Sequence, residues 1–382
     1  MTFEFATTTR ILFGCGQMSQ LAKNTLPFGN QVLVVLGKNP SRHDSVLQSL
    51  RQSGLTVGTF SIAGEPTIDD IIQGTDLAKK SAIQIVIGLG GGSVIDAGKA
   101  ISAMSRQPED LWHYIEIVGK GHPLTATPLP YIAIPTTAGT GAEVTRNAVL
   151  SSPEHGVKAS LRHASMLPRL AIIDPELTLH CPPDITAASG MDAFVQCLEA
   201  YVSCRANPLT DALCLSGIEH SVRSLEKVVF DGSDLKARAD IAYAAMLSGM
   251  ALANAGLGAV HGFAAPIGGA FHAPHGAICA ALIAPVWAAN LEAIRKRGNS
   301  DAMNRFKTVA RLMTGEPTAS ALTGVSYLTE LTRKLSIPSL QHWGIQECHL
   351  DDIVSKAAAS SSMKGNPVPL DKTTLRNILA AS

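Results

Sequence analysis

The feature that most constrains the fold is a change of pattern near residue 184. Before it, short apolar runs rich in β-branched residues, such as 31–37, alternate with segments of helical spacing. After it, long Ala- and Leu-rich helical patterns such as 278–297 follow one another. Alternating strands and helices predict a parallel sheet covered on both faces. We therefore expect an α/β domain over 1–180 and an all-helical domain over 181–382.

A glycine-rich turn follows the strand predicted at 82–88 and leads into a helix. Gly91, Gly92 and Ser93 let the backbone approach a phosphate closely, and the helix N-terminus offers free N–H donors there. Asp96 follows in the first turns of that helix. The spacing is neither GxGxxG nor the Walker pattern, so this turn alone leaves open a cofactor site or a tight structural turn.

A second polar loop follows the strand predicted at 131–134 and carries Thr136, Thr137 and Thr140. In parallel sheets, ligands bind in the crevice at the carboxyl ends of the strands. Two polar, glycine-bearing loops in such positions together predict a dinucleotide site.

The helical half contains potential metal ligands. Asp192 and Gln196 are four residues apart and project from one helical face, and His261 and His275 lie far downstream. A catalytic divalent metal takes imidazole and carboxylate ligands from separate elements and leaves a position for substrate. By spacing alone, the two histidines could equally be hydrogen-bonded core residues.

Five segments together decide between these interpretations, because in this order they resemble the iron-containing alcohol dehydrogenase family. The resemblance implies a Rossmann-like N-terminal domain, an all-helical metal-binding C-terminal domain, and an active site in the cleft between them. It also implies NAD or NADP and a divalent metal, iron first and zinc as the second candidate. The segments are GGGSVIDAGK at 90–99, IPTTAGTGAEVT at 134–145, IDPEL at 173–177, GMDAFVQCLEAY at 190–201 and HGFAAPIGGAFHAPHG at 261–276.

The resemblance also implies a metal site with one altered ligand. Asp192, His261 and His275 match three of the four family ligands, and Gln196 stands where the family has histidine. A glutamine oxygen is a harder and weaker ligand than imidazole. The side chain could ligate through oxygen, water could replace it, or the site could be empty; we expect a bound but weaker metal.

A second departure concerns proton transfer. The family usually has a histidine four residues after the first downstream ligand, and Ala265 stands there. His272 could replace it, although His272 could equally be an exposed loop residue. The predicted catalytic residues are therefore His261, His275 and His272.

A third departure from the family pattern lies among the predicted cofactor contacts. Family members that prefer NAD resemble one another in an aspartate after the first cofactor-site strand, where this chain has Gly37, then Lys38, Asn39 and a nearby Arg42. Losing the carboxylate relieves repulsion of a 2′-phosphate, and the basic residues could pair with it. We predict use of NADP or of both cofactors. Lys158 and the three threonines match family residues that contact the cofactor.

The expected reaction is hydride transfer between a nicotinamide cofactor and a small primary alcohol or aldehyde. A maleylacetate-reductase-like keto-acid reductase is the alternative within the oxidoreductases. A dehydroquinate-synthase-like lyase is an alternative from another class, although no dense Lys/Arg cluster for a substrate phosphate accompanies His261 and His275. The third alternative is a non-catalytic dinucleotide-binding protein whose metal site has been lost at Gln196.

Composition limits the classes of partner that we expect for this protein. The formal net charge of zero over 382 residues provides no basic field for nucleic acid. No run of about 18 apolar residues predicts a membrane span, and residues 1–10 do not look like a signal peptide. Seven scattered cysteines indicate reduced thiols and a cytoplasmic enzyme. The resemblance implies a homo-oligomer, most simply a dimer.

Overall fold

The structure, a computed structural model, describes residues 2–271 and 273–382. These residues form two compact units. The first, called the sheet unit, consists of Thr7–Thr137 and Ala142–Leu179. The second, called the helical unit, consists of residues 2–6, Ala138–Gly141 and the described residues of His180–Ser382. The short loop Ala138–Gly141 therefore packs with the helices, although it follows a strand of the sheet.

The sheet unit is built on six parallel strands in the order β1-β8-β5-β4-β2-β3. This arrangement confirms the predicted α/β class. The strand predicted at 82–88 is displaced, because Ala82 has a φ of 48° in the turn after the preceding helix, and the strand then continues through Gly90. The strands are β1 Ile11–Phe13, β2 Gln31–Leu36, β3 Thr56–Ser61, β4 Ile85–Gly90, β5 Tyr131–Pro135, β6 Asn147–Ser152, β7 Val157–Arg162 and β8 Leu170–Ile173.

The central strands are apolar throughout because both of their faces are covered. Every residue of β4 and β5 is buried, as expected for parallel strands inside an α/β unit. One face of the sheet packs against α3 and α4 and the other against α1 and α2. The helices of this unit are α1 Leu21–Thr25, α2 Asp44–Gln52, α3 Ile68–Lys80, α4 Gly92–Met104 and α5 Leu111–Tyr114.

Strands β6 and β7 form a separate antiparallel hairpin that the sequence did not reveal. Their tight connection ends at Gly156, which has a φ of 61°. The hairpin packs on α4 and holds part of the predicted cofactor set, because Lys158 lies in β7.

The helical unit surrounds helix α6, which is buried on nearly all sides. A helix in this position buries its polar residues together with its apolar ones, and Asp192, Gln196 and Glu199 are all at most 4% exposed. The helices of this unit are α6 Pro183–Val202, α7 Pro208–Phe230, α8 Leu235–Ala255, α9 Ala259–Phe271, α10 His275–Arg297, α11 Ser300–Thr314, α12 Ala321–Lys334, α13 Leu350–Ala359 and α14 Lys372–Ala380.

Helix α10 has the length and apolar composition of a membrane span, with a mean hydropathy of 1.7. The pair α8 and α9 passes the same test if taken as one span, but it is bent by 101°. In α10, 61% of the apolar window is buried inside the protein, as in the core helix of a globular domain. Its first residue is His275, so this helix also carries a potential metal ligand.

Candidate functional site

Three helices of the helical unit bring three of the predicted metal ligands together. Asp192 comes from α6, His261 from the first turn of α9, and His275 is the first residue of α10. The Oδ1 atom of Asp192 lies 3.2 Å from His261 Nε2 and 3.8 Å from His275 Nε2. Asp192 and His261 are buried, whereas 36% of the His275 side chain is exposed, so the cluster opens on that side.

Glu199 fixes the orientation of His261. Its Oε2 atom accepts a hydrogen bond of 2.7 Å from His261 Nδ1, and its Oε1 atom accepts one of 2.7 Å from the Val260 N–H. A ligating histidine usually donates its second ring N–H to such a carboxylate, which leaves the other nitrogen for a metal. Glu199 also caps the start of α9, where the backbone N–H groups need partners.

A glycine lets α10 approach α6. A Cβ atom on Gly276 would overlap the carbonyl oxygen of Ala188 and lie 3.2 Å from Asp192 Cβ. Because Gly276 directly follows His275, this close approach sets the separation between His275 and Asp192.

The electrostatics of the cluster suit a cation. Burial acts to lower the pKa of His261, but Cys279 and Asp192 outweigh it and raise that pKa well above its usual value. The pKa of His275 is raised for similar reasons. Burial acts to raise the pKa of Asp192, but the two histidines hold it below its usual value. The donor set therefore favours positive charge at its centre, as a divalent metal requires.

Gln196 and Cys279 occupy unexpected roles near this cluster. The Oε1 atom of Gln196 accepts a hydrogen bond of 2.9 Å from Ser248 Oγ in α8. Cys279, one turn after His275 in α10, places Sγ 3.7 Å from His261 Nε2. Sequence reasoning assigned no role in the site to either Cys279 or Glu199. The signal was present, since Cys279 is four residues from His275 and Glu199 seven from Asp192, which are helical spacings.

Two positions bear on the predicted proton transfer, and the structure describes one of them. Ala265 is exposed in α9, one turn after His261. His272 lies outside the described residues.

In the sheet unit, the glycine turn joins β4 to α4. A Cβ atom on Gly90 would lie 2.6 Å from Val94 Cγ2, so this position requires glycine. Gly91 precedes α4, and the first residues of that helix are Gly92 and Ser93. Thr136 donates its N–H to the Gly90 carbonyl at 2.9 Å, and the Thr137 side chain faces Gly91. The structure thus brings five of the predicted cofactor residues to one edge of the sheet.

Asp96 faces the hairpin. Its Oδ2 atom accepts a hydrogen bond of 3.0 Å from the Val149 N–H in β6, and its Oδ1 atom lies 3.5 Å from Lys99 Nζ. Lys99 is 1% exposed and also donates to the carbonyls of Ala142 and Asn147. Burial raises the pKa of Asp96, and Lys99 partly offsets this effect. This network joins the start of α4, directly after the glycine turn, to β6.

The remaining predicted cofactor residues are more widely placed. Gly37 directly follows β2, and Asn39 is exposed two residues later. Lys158 forms an ion pair of 2.5 Å with Glu65 of the same unit. Thr140 belongs to the loop Ala138–Gly141 of the helical unit, where Gly141 has a φ of 61° and a Cβ atom would collide with Gly249 of α8.

Comparison with known families accounts for both units. The model of the iron-containing alcohol dehydrogenase family matches residues 8–175, and the model of its C-terminal domain matches residues 186–382. The chain belongs to the iron-containing alcohol dehydrogenase family. It is an oxidoreductase acting on alcohols and aldehydes, and it uses a nicotinamide cofactor and a divalent metal.

Individual relatives cover nearly the whole chain. It is 33% identical to the long-chain-alcohol dehydrogenase 1 of Geobacillus thermodenitrificans over 97% of this chain and 94% of that protein. It is 35% identical to the 1,3-propanediol dehydrogenase of Klebsiella pneumoniae over 85% of this chain and 82% of that protein. The solved alcohol dehydrogenase from Oenococcus oeni is 32% identical, with a TM-score of 0.92 over 99% of both chains.

Proposed function

We propose that residues 181–382 bind the metal and the substrate through Asp192, His261 and His275, and that residues 1–180 bind the dinucleotide. The observation that carries the metal assignment is the convergence of one carboxylate and two imidazoles from three helices, with the Nδ1 atom of His261 already held by Glu199. A structural core histidine would not need this arrangement.

For the cofactor, we propose that the backbone N–H groups of Gly91, Gly92 and Ser93 bind the pyrophosphate. Thr136 and Thr137 lie on the neighbouring strand end and line the same edge of the sheet. Asp96, Thr140 and Lys158 are kept as proposed cofactor contacts on the strength of the family pattern.

The chain's own residues prepare the reaction by binding and orientation. When bound, a divalent metal lowers the pKa of an alcohol and polarises a carbonyl, and the nicotinamide exchanges the hydride. Glu199 keeps His261 in one tautomer, and the exposed side of His275 gives a small primary alcohol or aldehyde access to the cluster. Because Ala265 carries no imidazole, we propose that His272 exchanges the proton with solvent.

The activity assay follows NADPH or NADH oxidation with short aldehydes before and after chelation, and again after adding Fe²⁺ or Zn²⁺. We expect chelation to abolish turnover and metal to restore it. Asp192→Asn should fail to recover, whereas the control Asp184→Asn, exposed in the same helix, should recover fully. Full activity after chelation would contradict the proposed function.

Cofactor choice is a separate part of the proposal, namely that the enzyme uses NADP or both cofactors. A Cβ atom on Gly37 would lie 3.8 Å from Val94 Cγ2, which is an ordinary contact, so the backbone at this position accepts a side chain without a clash at Cβ. Gly37→Asp should lower kcat/KM for NADPH by about tenfold or more relative to NADH, because a carboxylate near a phosphate costs roughly 1 to 4 kcal/mol. A strong NADH preference of the unaltered enzyme would count against the proposal.

We also propose that the enzyme is a cytoplasmic homodimer. All seven cysteines are free thiols, as a reducing compartment allows. Sedimentation velocity of the purified chain would test the dimer, and a monomer at micromolar concentration would rule it out.

A further inference from the structure

Cys279 is placed as a metal ligand would be. It lies four residues after His275 on the same face of α10, and the side chain is completely buried. Its Sγ atom faces the cluster, since His261 Nε2 is 3.7 Å away. Cys197 and Cys214, the other buried cysteines, lie outside this group.

The four donor atoms lie close enough together to share one metal ion. One ligand atom each of Asp192, His261, His275 and Cys279 lies within 4.8 Å of all the others. The Nε2 atom of His261 lies 3.2 Å from Asp192 Oδ1 and 3.7 Å from Cys279 Sγ. The Nε2 atom of His275 lies 3.8 Å from Asp192 Oδ1. Zn–S bonds of about 2.3 Å and Zn–N or Zn–O bonds of about 2.1 Å, at tetrahedral angles, separate neighbouring ligands by roughly 3.4 to 3.6 Å.

Gln196 is the weaker candidate for the fourth position. Its Oε1 atom already accepts the hydrogen bond from Ser248, and an amide oxygen is neutral. A thiolate is negatively charged and is a preferred ligand of zinc.

We propose that Cys279 Sγ is the fourth protein ligand of the metal, in place of a side chain at position 196, and that the resulting Asp-His-His-Cys set favours zinc over iron. The inference rests on the proposed metal site and specifies its ligands. On binding, the S–H bond of Cys279 is replaced by a sulfur–metal bond and the proton is released to solvent.

The experiment detects the bond between the cysteine sulfur and the metal spectroscopically and does not depend on turnover. The full-length protein is stripped with chelator and loaded with Co²⁺, and a thiolate-to-cobalt charge-transfer band is sought in the near ultraviolet. We expect the band in the unaltered protein, in the control Cys214→Ser and in Gln196→Leu, and its loss in Cys279→Ser. Circular dichroism verifies that each variant is folded.

A second measurement needs no variant. X-ray absorption at the zinc edge of the unaltered zinc protein should show one sulfur neighbour at about 2.3 Å. Competition against a chromophoric chelator should show that Cys279→Ser lowers zinc affinity at least tenfold and reduces the preference for zinc over Fe²⁺.

The outcomes separate the two proposals. If cobalt binds but the band is absent, or if it persists in Cys279→Ser, the cysteine ligand is wrong while the metal site stands. If the unaltered protein binds neither cobalt nor zinc, the metal site itself is wrong and the cysteine ligand falls with it.

Discussion

Each unit of this enzyme buries a carboxylate, and the two environments act on it in opposite directions. Burial raises the pKa of Glu143 in the sheet unit to about 7, and a backbone hydrogen bond and the charge of Lys99 only partly offset this effect. In the helical unit the two histidines hold the pKa of Asp192 below its usual value despite its burial. The comparison indicates that Glu143 is a structural acid and that Asp192 belongs to a site prepared for positive charge.

The two units also differ in what they are made from. The proposed cofactor site at Gly90 to Ser93 offers backbone N–H groups, and its residues are small and adjacent in sequence. The candidate metal site offers side chains, and two of them, Asp192 and His261, are 69 positions apart. A backbone site therefore depends on local glycine conformation, whereas the side-chain site depends on how closely helices pack.

The largest expected effect concerns Glu143. Its pKa is about 7 in the folded chain and near 4.5 in the unfolded chain, so the folded state binds the proton more tightly and stability falls as pH rises between these values. The fall is about 3 kcal/mol. Glu143→Gln should remove this contribution to the pH dependence and be the more stable protein at pH 8 in urea unfolding. The exposed control Glu109→Gln should show the same pH dependence of stability as the unaltered protein. Equal pH dependence in the unaltered protein and both variants would refute this role of Glu143.

A second expectation tests the packing of the helical unit. Gly276→Ala should push α10 away from Ala188 and separate His275 from Asp192. Overpacking of this kind costs about 3 kcal/mol, so zinc affinity should fall about 100-fold while cofactor affinity is unchanged. Chelator competition measures the first and fluorescence titration with NADPH the second. Unchanged zinc affinity in a folded variant would show that this contact does not set the site.

A third expectation concerns the orientation of His261. Glu199→Gln keeps the side-chain size but replaces the carboxylate that accepts from His261 Nδ1 and from Val260. Loss of such a partner lowers metal affinity about 10- to 100-fold. Glu199→Asp keeps a carboxylate, so its zinc affinity should lie between those of Glu199→Gln and the unaltered protein. A folded Glu199→Gln protein with normal zinc affinity would show that Glu199 acts only as a helix cap.

The smallest expected effect is in the glycine turn. Gly90→Ala places a Cβ atom against Val94 at the start of α4 and should weaken cofactor binding about tenfold, the lower part of the overpacking range. The double variant with Val94→Ala should recover most of this loss, because the clash is relieved. No recovery, measured by titration with NADPH and NADH, would mean that the glycine is needed for the cofactor itself.

The sheet unit was largely predictable. The runs over 31–37 and 131–134 became β2 and β5 because a strand buried on both faces is apolar regardless of its distant neighbours. The hairpin of β6 and β7 was not predicted, since its strands alternate buried and partly exposed residues and form a sheet of their own. The metal cluster was predictable only in part, through the family resemblance of Asp192, His261 and His275.

By itself, then, the sequence determined the class of each half, the glycine turn and the family, because hydrophobic periodicity and glycine spacing are local properties. Only the tertiary structure decided that Glu199 and Cys279 join His261, that Gln196 turns to Ser248, and that Asp96 bonds to Val149. These partners come from helices and strands far apart in sequence. Their meeting depends on the packing of whole elements, which no local pattern records.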